Sequence, residues 1–310
     1  MKVFHSIDDL PEFKKTVFTQ GTFDGVHLGH QQILAQMTEV AQKTGGETVV
    51  LTFWPHPRLF LFPEDNQLKL LQTLEEKLEL FARCHIDNVV VLPFTKEFSN
   101  ILPEDYIREI LVNRLNVSVA IVGYDHRFGR NREGDIKLLQ AFQEQYHYEV
   151  MEIAAEDIDE ITISSTKIRN ALLAGEIDTA TKYLGRPYNF SGKVVKGMQL
   201  GRTLGYPTAN LELTEPYKLI PAIGVYAVKC QVDGRTYGGM MNIGNNPTVP
   251  GKTFSIEAHI FDFSEDIYGK LVEISMIARL RDEKKFENIE ELSLNLRLDE
   301  KSARDKVKII

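Results

Sequence analysis

Two segments of this 310-residue chain combine glycines with side chains suited to handling phosphate. The first is GTFDGVHLGH, in which His27 and His30 are three residues apart. At that spacing both imidazoles can lie on one side of the first turn of a helix. Backbone N–H groups and the helix dipole favour a phosphate there, and two imidazoles can donate hydrogen bonds to a reacting α-phosphate. His27 and His30 are therefore candidate catalytic residues for nucleotidyl transfer.

The other residues of this segment are candidates for binding the nucleotide. Gly21 allows a tight turn and close backbone approach, and Gly29 leaves room for a base or ribose against the backbone. Phe23 and Asp24 complete the predicted nucleotide-binding set. The alternative is a glycine-rich turn whose two histidines have no role, but the position of the segment at the first strand-to-helix junction favours a binding site.

Hydroxyls and cations are grouped in the string ISSTKIR. Ser164, Ser165 and Thr166 are good N-cap residues. Their hydroxyl and N–H groups, with Lys167 or Arg169, are predicted to hold the β- and γ-phosphates that leave as pyrophosphate. The alternative is an ordinary helix cap.

Two further loops follow strand-like runs and are expected to line the same cleft. The string FWPHP holds His56 in a stiff loop, and GYDHRFG contains Asp125 and Phe128, which can meet a base and an aromatic ring. We add these three residues to the candidate binding site.

The second phosphate-handling segment is GRTLGYPTANL, in which Gly201 and Gly205 precede Pro207. Such spacing lets backbone amides wrap a nucleotide's phosphates, and the missing G-K-[ST] excludes a Walker loop. Thr208 and Asn210 are two residues apart, hence on one face of a strand, where their oxygens make a weak site for Mg²⁺. The alternative is a pair of polar residues on the wet face of a barrel strand.

Phosphorylating an alcohol also requires a base, and Glu257 is the best candidate. It lies in an otherwise apolar strand-like run, FSIEAHI, where an unpaired carboxylate is costly. It can accept the proton of a substrate hydroxyl. The alternative is a structural glutamate paired with a nearby lysine or arginine.

The elements that must position these residues change character along the chain. In the first half, strand-like runs alternate with helical patterns, which predicts a parallel sheet covered on both faces. The predicted strands are 16–19, 48–53, 88–92, 117–122 and 149–153. The predicted helices are 30–43, 103–115, 165–174 and 177–184.

Near residue 185 the helical patterns stop and short strands follow one another. They are predicted at 188–195, 208–213, 225–232, 235–243, 254–261 and 271–280. Asp233-Gly234 is a two-residue hairpin signal. Six strands with short turns predict a small closed antiparallel barrel, followed by a terminal helix over 289–307. We therefore predict two domains, 1–185 and 186–310.

Composition limits the classes of function. The net charge of −8 and pI of about 5.6 argue against general binding to nucleic acid, which relies on clustered cations. No apolar run reaches the ~20 residues of a membrane span, so no membrane partner is expected. The two cysteines, Cys84 and Cys230, form neither a disulfide framework nor a zinc site by themselves. A cytoplasmic location is expected.

These motifs together resemble those of the prokaryotic bifunctional riboflavin kinase/FAD synthetase family. Its adenylyltransferase half has G-T-F-D-G-x-H-x-G-H, F-x-P-H-P, G-x-[DN]-x-x-F-G and S-S-T-x-I-R, and all four occur here in order. Its kinase half has G-x-P-T-A-N-L, N-I-G-x-x-P-T and E-x-H-x-x-[DN]-F, matched here by GYPTANL, NIGNNPT from Asn242 and EAHIFDF from Glu257. One departure is His126, where another aromatic residue is expected.

The resemblance implies a fold and a pair of reactions. The fold is α/β plus all-β: a Rossmann-like nucleotidyltransferase sheet, then a six-stranded antiparallel β-barrel with a terminal helix. The expected reactions are phosphorylation of riboflavin by ATP to FMN and adenylylation of FMN by ATP to FAD and pyrophosphate. In the barrel, the resemblance implies that Thr208 and Asn210 bind Mg²⁺, that Glu257 is the base and that Asn242 belongs to the binding residues. It also implies that the terminal helix borders the flavin, where Arg297 is either a contact or a surface charge.

Two other functions are compatible with the sequence. One is a nucleotidyltransferase acting on a different phosphate ester, with the barrel as a binding module only. The other is a flavin-binding regulator without catalysis. The first alternative gives no role to the combination of Glu257 with the PTAN string. The second predicts that the chain binds FMN or FAD without turnover.

Overall fold

The computed structural model describes residues 1–61, 68–123, 126–153, 163–197, 201, 204–245 and 254–308. The chain divides into two compact units, Met1–Ser164 and Ser165–Ile310.

The first unit is built on a six-stranded parallel sheet, as the alternation of strands and helices predicted. The strand order is β1-β4-β3-β2-β5-β6. The strands are β1 Lys2–Phe4, β2 Thr16–Gln20, β3 Glu47–Phe53, β4 Asn88–Leu92, β5 Val117–Gly123 and β6 Glu149–Ile153. The three-residue strand β1 was not predicted, because it is too short to show a period and pairs only along the edge of β4.

Both faces of this sheet are buried. Along β3, Val49 and Leu51 belong to one hydrophobic cluster, whereas Val50 belongs to the other. The helices in the described part of this unit are α1 Leu28–Thr44, α2 Pro57–Leu61, α3 Leu74–Arg83, α4 Lys96–Ser99, α5 Pro103–Asp105, α6 Ile136–Ala141 and α7 Gln143–Tyr146. The near-continuous apolar runs of the strands reflect this burial on two sides.

One predicted helix takes a different form. The segment expected to be a single helix over 103–115 begins as α5 and continues as wider π-helical turns over Tyr106–Arg114. Tyr106 is 1% exposed, and its hydroxyl donates to the side-chain oxygen of Gln20. Wider turns of this kind occur mostly at functional sites, and this one packs against the end of β2.

The topology brings three loops to one edge of the sheet. β2 lies between β3 and β5, and all three strands run parallel. Their carboxyl ends therefore meet at the same edge, where open α/β sheets bind ligands. The loops that start there contain the candidate residues of the first site.

The second unit contains a closed antiparallel barrel of six strands in the order β10-β11-β8-β7-β12-β9. Its strands are β7 Asn189–Val195, β8 Ala209–Leu213, β9 Gly224–Val232, β10 Arg235–Gly244, β11 Ser255–Ile260 and β12 Leu271–Arg281. Between β9 and β10, Asp233 and Gly234 have φ of 47° and 77°. Positive φ at both turn positions is what the hairpin signal predicted.

The helices whose bounds are described in the second unit are α8 Ser165–Ala174, α9 Ile177–Leu184 and α10 Ile289–Lys308. The amide of Ala222 donates to the oxygen of Leu172 at 2.9 Å, so α8 is tied to the barrel unit by a backbone hydrogen bond. In α10, which follows the barrel as predicted, Ala303 is buried. Among the described helices, none is long and apolar enough to cross a membrane.

Candidate active sites

The two candidate histidines of the first site stack at the start of α1. His27 is the N-cap of the helix, and its side chain accepts a hydrogen bond from the amide of His30. The two rings are 3.6 Å apart between centroids with an interplanar angle of 17°. His27 accepts through Nδ1, so in the neutral imidazole the proton is on Nε2, which can donate. The spacing therefore places both imidazoles together at a helix N-terminus, as predicted.

The loop before the histidines is held in an unusual backbone conformation. Phe23 and Val26 have φ of 48° and 37°, and Gly25 has φ of 88°. The Phe23 ring lies 5.0 Å from the His30 ring in an edge-on arrangement. A Cβ at Gly21 would approach that same phenyl ring to 3.1 Å. Gly21 is thus needed because Phe23 folds back over the backbone that precedes it.

A cavity of about 640 Å³ lies beside these histidines at the carboxyl edge of the sheet. Its walls contain five of the predicted site residues, which are Gly21, Phe23, His30, His56 and Phe128. Further aromatic side chains line it, namely Phe53, Phe94, Phe98 and Tyr106. The volume and the mixed aromatic and cationic wall suit a ligand with a flat ring and a phosphate.

His56 reaches this cavity from the loop after β3. It directly precedes Pro57, the first residue of α2, a position where proline is favoured. The Nδ1 of His56 accepts from the amide of Arg58 at 3.1 Å. As for His27, this bond leaves the proton of the neutral ring on Nε2.

His126, at the departure from the family pattern, also lines the cavity. Its ring is 5.8 Å from the Phe128 ring, with an interplanar angle of 30°. Burial, together with the guanidinium of Arg132, lowers the pKa of His126 to about 4. At neutral pH the ring is therefore uncharged and continues the aromatic wall.

Several predicted residues of the first site are not among the described residues that line this cavity. Asp24 is buried, and its carboxylate accepts from the amide of Leu71 at 3.0 Å. Gly29 is buried in the first turn of α1, and Asp125 lies outside the described residues. The residues Ser164, Ser165, Thr166 and Arg169 are at or after the boundary between the two units. Their assignment to the pyrophosphate stays a prediction.

Sequence reasoning missed the lysine beneath this site. Lys77 of α3 is 2% exposed, and its Nζ donates to the backbone oxygen of Thr22 at 2.7 Å. Burial lowers the pKa of Lys77 to about 8, and the nearby Asp24 carboxylate keeps it from falling further. The available signal was weak: a single lysine in the string LEEKLELFAR occupies a position of the face that also buries Phe81.

In the barrel, the strand register brings three predicted residues into one row. Glu257 of β11 pairs directly with Asn242 of β10 and with Asn210 of β8. Residues paired across neighbouring strands point to the same face. Thr208, just before β8, donates its hydroxyl to a Glu257 carboxylate oxygen at 3.5 Å. The predicted base and the predicted metal ligands are thus neighbours.

Burial perturbs the candidate base. It raises the pKa of Glu257, and hydrogen bonds from Thr208 and Ser255 partly offset this effect. A carboxylate with a raised pKa is a stronger base than an exposed one. The raised pKa favours the catalytic interpretation over the structural ion pair, and so does the lack of an ion pair between Glu257 and any lysine or arginine in the described part of the chain.

A cavity of about 250 Å³ opens at this row. Of the predicted residues, Gly201, Thr208, Asn242 and Glu257 line it. Apolar walls come from Met240 and Met241 of the barrel and from Leu292 and Leu296 of α10. Asn210, Gly205 and Pro207 are not in its wall, although the Pro207 oxygen lies 2.8 Å from Nδ1 of His259.

Sequence reasoning also missed residues of this second site. His259 lines the cavity, and a signal existed, since it is two residues from Glu257 and so on the same face of β11. The ion pair between Arg281 and Asp299 joins β12 to α10 at 2.7 Å and lines the cavity too. No local pattern connects residues so far apart in sequence. Arg297 is exposed.

The donor set of the second site fits a hard cation. Thr208, Asn210 and Glu257 offer a hydroxyl, an amide oxygen and a carboxylate, which are the oxygen ligands that Mg²⁺ prefers. Gly197 permits this packing, because a Cβ there would come within 2.3 Å of the Asn210 amide. Among the described residues, no group of three or more His, Cys, Asp or Glu side chains could hold a metal ion. The hydroxyl of Thr208 and the amide oxygen of Asn210 suit a Mg²⁺ ion that takes its remaining oxygens from water and substrate phosphates.

Comparisons with known proteins agree with a chain that has one candidate active site in its first half and another in its second half. A family model described as FAD synthetase matches residues 9–167, and one described as riboflavin kinase matches residues 184–307. A protein of Listeria monocytogenes named bifunctional riboflavin kinase/FMN adenylyltransferase is 40% identical, with 93% of this chain and 91% of the relative covered. A protein of Escherichia coli K12 with the same name is 36% identical, with 97% and 95% covered.

Among solved structures, a protein from Streptococcus pneumoniae described as a macrolide-efflux protein has a TM-score of 0.89. It is 31% identical, and the match covers 97% of this chain and 98% of that one. The likeness supports the fold. The transport function in its description concerns the pneumococcal protein.

Proposed function

Because the chain belongs to the family of bifunctional riboflavin kinase/FMN adenylyltransferases, we propose how its residues divide the two reactions of that family. The chain phosphorylates riboflavin with ATP to FMN, and it adenylylates FMN with ATP to FAD and pyrophosphate. The match of a riboflavin kinase model to the barrel removes the alternative of a passive binding module.

Residues 1–185 form the adenylyltransferase domain in this proposal, and residues 186–310 form the kinase domain. The start of the kinase family model at residue 184 supports this functional boundary. The compact units divide earlier, at Ser164, because α8 and α9 group with the barrel. The segment from 165 to 185 therefore belongs to the compact unit of the barrel, although the FAD synthetase match extends to residue 167.

In adenylyl transfer, a phosphate oxygen of FMN attacks the α-phosphorus of ATP. The new P–O bond forms as the bond to pyrophosphate breaks, so no covalent intermediate with the protein is needed. His27 and His30 donate hydrogen bonds to the α-phosphate as negative charge builds on its oxygens. The observation that carries this assignment is the stacked pair of imidazoles at the N-terminus of α1, with His30 in the wall of the cavity.

The remaining residues of the first site bind and orient. Gly21 and Gly29 allow the nucleotide to approach the backbone, and Phe23, His56 and Phe128 line the cavity. Asp24 holds the loop in place, because its carboxylate accepts a hydrogen bond from the Leu71 amide. Ser164, Ser165, Thr166 and Arg169 are assigned to the departing pyrophosphate, and Asp125 to the flavin or base, on the strength of the family motifs alone.

In the kinase reaction, Glu257 accepts the proton of the riboflavin hydroxyl as that oxygen attacks the γ-phosphorus of ATP. The row of Glu257 with Asn210 and Asn242 carries this assignment. Thr208 and Asn210 would hold Mg²⁺, which supplies charge neutralisation at the phosphates when it is bound. The loop with Gly201, Gly205 and Pro207 wraps the nucleotide, and the methionine and leucine side chains of the cavity take the flavin ring.

One incubation tests the proposed function. The purified full-length chain is mixed with riboflavin, ATP and Mg²⁺, and the flavins are separated by chromatography. FMN is expected first and FAD later, and a second incubation that starts from FMN should give FAD directly. A chain that binds flavin and forms neither product would instead be a flavin-binding regulator.

A further inference from the structure

The buried lysine of α3 has no part in either reaction as described so far. Lys77 is 2% exposed, so its ammonium touches neither solvent nor a ligand in the cavity. Lysine is almost never fully buried without partners. Its Nζ donates to the Thr22 oxygen at 2.7 Å and lies 3.5 Å from the Thr52 hydroxyl.

This lysine is one of three anchors that hold consecutive residues of the loop before the catalytic histidines. The anchors are Lys77 Nζ to the Thr22 oxygen at 2.7 Å, Gln72 Nε2 to the Phe23 oxygen at 2.9 Å, and the Leu71 amide to the Asp24 carboxylate at 3.0 Å. All three donors belong to one short stretch of chain. The loop is therefore fixed from behind, on the side away from the cavity.

The loop requires such anchors because its backbone is strained. Phe23 and Val26 are not glycines, yet both have positive φ. Conformations of this kind are unfavourable for residues other than glycine and persist only where the surroundings enforce them. The Phe23 ring in turn contacts His30, so the position of the loop sets the position of a catalytic imidazole.

Lys77 also reaches the second loop of the cavity. Its ammonium lies 5.3 Å from the centroid of the Trp54 ring, in the turn that contains His56. The attraction of a cation to an indole face is strengthened when the pair is removed from water. One ammonium thus contacts both the loop that precedes the helix of His30 and the turn that contains His56, and both histidines line the cavity.

We propose that Lys77 is a positioning residue for the adenylyl-transfer step: it holds the Thr22 loop and the Trp54 turn in the arrangement that step requires. It does not act on the phosphorylation of riboflavin. This inference rests on the function proposed above for the first unit.

The charge state of Lys77 makes the inference testable in solution. Burial, opposed by Asp24, lowers the pKa of Lys77 to about 8, so the ammonium is lost in mildly alkaline solution. Among the groups that face the Lys77 ammonium, the Asp24 carboxylate of the loop before the catalytic histidines is charged. Thr52 and Trp54 are neutral. On its own helix, the Glu76 carboxylate accepts from the Thr73 amide in a capping box.

The experiment uses the full-length chain, with Lys77→Met, Lys77→Arg and Gln72→Leu as variants. Lys43→Met, at an exposed position of α1, is the control. Both steps are measured separately on each preparation, as FAD from FMN and as FMN from riboflavin. Far-UV circular dichroism reports whether each variant is folded, and the fluorescence of Trp54, the single tryptophan of the chain, reports the charge of the neighbouring ammonium.

Lys77→Met is expected to lower kcat for FAD formation by roughly 10- to 100-fold, since small misplacements of catalytic groups cost this much. KM for FMN and the rate of FMN formation should change little. In the unmodified chain, kcat for FAD formation and the Trp54 emission should both titrate as pH rises through about 8. In Lys77→Arg, which stays charged, this change of kcat in alkaline solution (the alkaline limb of the pH profile) should be absent. Gln72→Leu should lower kcat at every pH.

A wild-type kcat in folded Lys77→Met overturns the inference, as does an alkaline limb that persists unchanged in Lys77→Arg. If circular dichroism shows that the methionine variant is unfolded, wild-type rates in Gln72→Leu together with an unchanged pH profile in Lys77→Arg overturn the inference. Failure of the unmodified chain to form FAD from FMN would instead refute the proposed function.

Discussion

At the scale of single residues, burial of Glu257 sets the pH dependence of the kinase. Its pKa is raised by burial, so the protonated form is favoured in the folded state. That group adds stability in acid, and the contribution is lost as pH rises through the raised pKa. The base acts only as the anion, so the rate of FMN formation should fall with decreasing pH at a higher pH than an exposed glutamate would give. Initial rates of riboflavin phosphorylation across the acid range measure this.

Ser255→Ala provides a matched variant for this prediction. The Ser255 hydrogen bond lowers the pKa of Glu257, so its removal should move the acid limb further upward. Glu265→Gln, at an exposed carboxylate of the same unit, should leave the profile unchanged. An acid limb at the same pH in Ser255→Ala and in the unmodified chain would contradict the assignment of Glu257 as the titrating base.

His27 combines two roles that a substitution can separate. As the N-cap of α1 it stabilises the helix, and alanine at such a position costs about 1 kcal/mol. His27→Asn keeps a good cap but removes the imidazole. We expect it to lower kcat for FAD formation by about 10²- to 10³-fold, the usual effect of losing one transition-state donor, with the melting temperature nearly unchanged.

His27→Ala is the comparison for the capping role. It should lose the same activity and also some thermal stability of the first unit. If His27→Asn forms FAD at the wild-type rate, the residue caps the helix and has no part in the chemistry. Formation of FMN from riboflavin, measured on the same samples, should be unchanged in both variants.

At the scale of elements, α10 forms part of the kinase cavity, and an ion pair in the cavity wall fastens it to the barrel. Arg281 donates to Asp299 through Nε at 2.9 Å and through Nη2 at 2.7 Å. Asp299 is 6% exposed, and removing one partner of a buried pair leaves an uncompensated charge. Asp299→Asn should therefore loosen α10 and raise KM for riboflavin by about tenfold, equivalent to about 1.4 kcal/mol.

Asp305→Asn is the control, because Asp305 is exposed on the same helix. It should leave KM for riboflavin unchanged. The rate of FAD formation from FMN should be unaffected by either substitution. An unchanged KM in Asp299→Asn would show that the ion pair does not position the helix against the flavin.

The same elements show how far the sequence alone predicts this molecule. The period of the apolar residues predicted the six barrel strands and the five longer strands of the sheet. Burial of one or both faces of a strand determines which of its positions are apolar, and this pattern is visible in the local sequence. The pairing of Glu257 with Asn210 and Asn242 depends on register between strands that are distant in sequence, and only the family resemblance joined them beforehand. Lys77 was missed because its hydrogen-bond partners are a backbone oxygen and a threonine hydroxyl. Neither partner produces a recognisable pattern of residue types in the sequence.

At the scale of the whole molecule, the described residues that line each cavity belong to one unit. Those of the first cavity lie between Thr19 and Arg132, and those of the second lie between Gly201 and Asp299. No described lining residue is therefore shared by the two cavities. This predicts that the two steps can be separated onto different molecules.

Two full-length variants test this separation when mixed. Glu257→Gln should form FAD from FMN but no FMN, and His30→Ala should form FMN but no FAD. Together they should convert riboflavin to FAD after a lag, because FMN made by one molecule must accumulate in solution before the other can use it. Adding FMN at the start should abolish the lag, which chromatography of timed samples would show. Efficient FAD formation by the unmodified chain, with none from the mixture, would mean instead that FMN does not pass through solution.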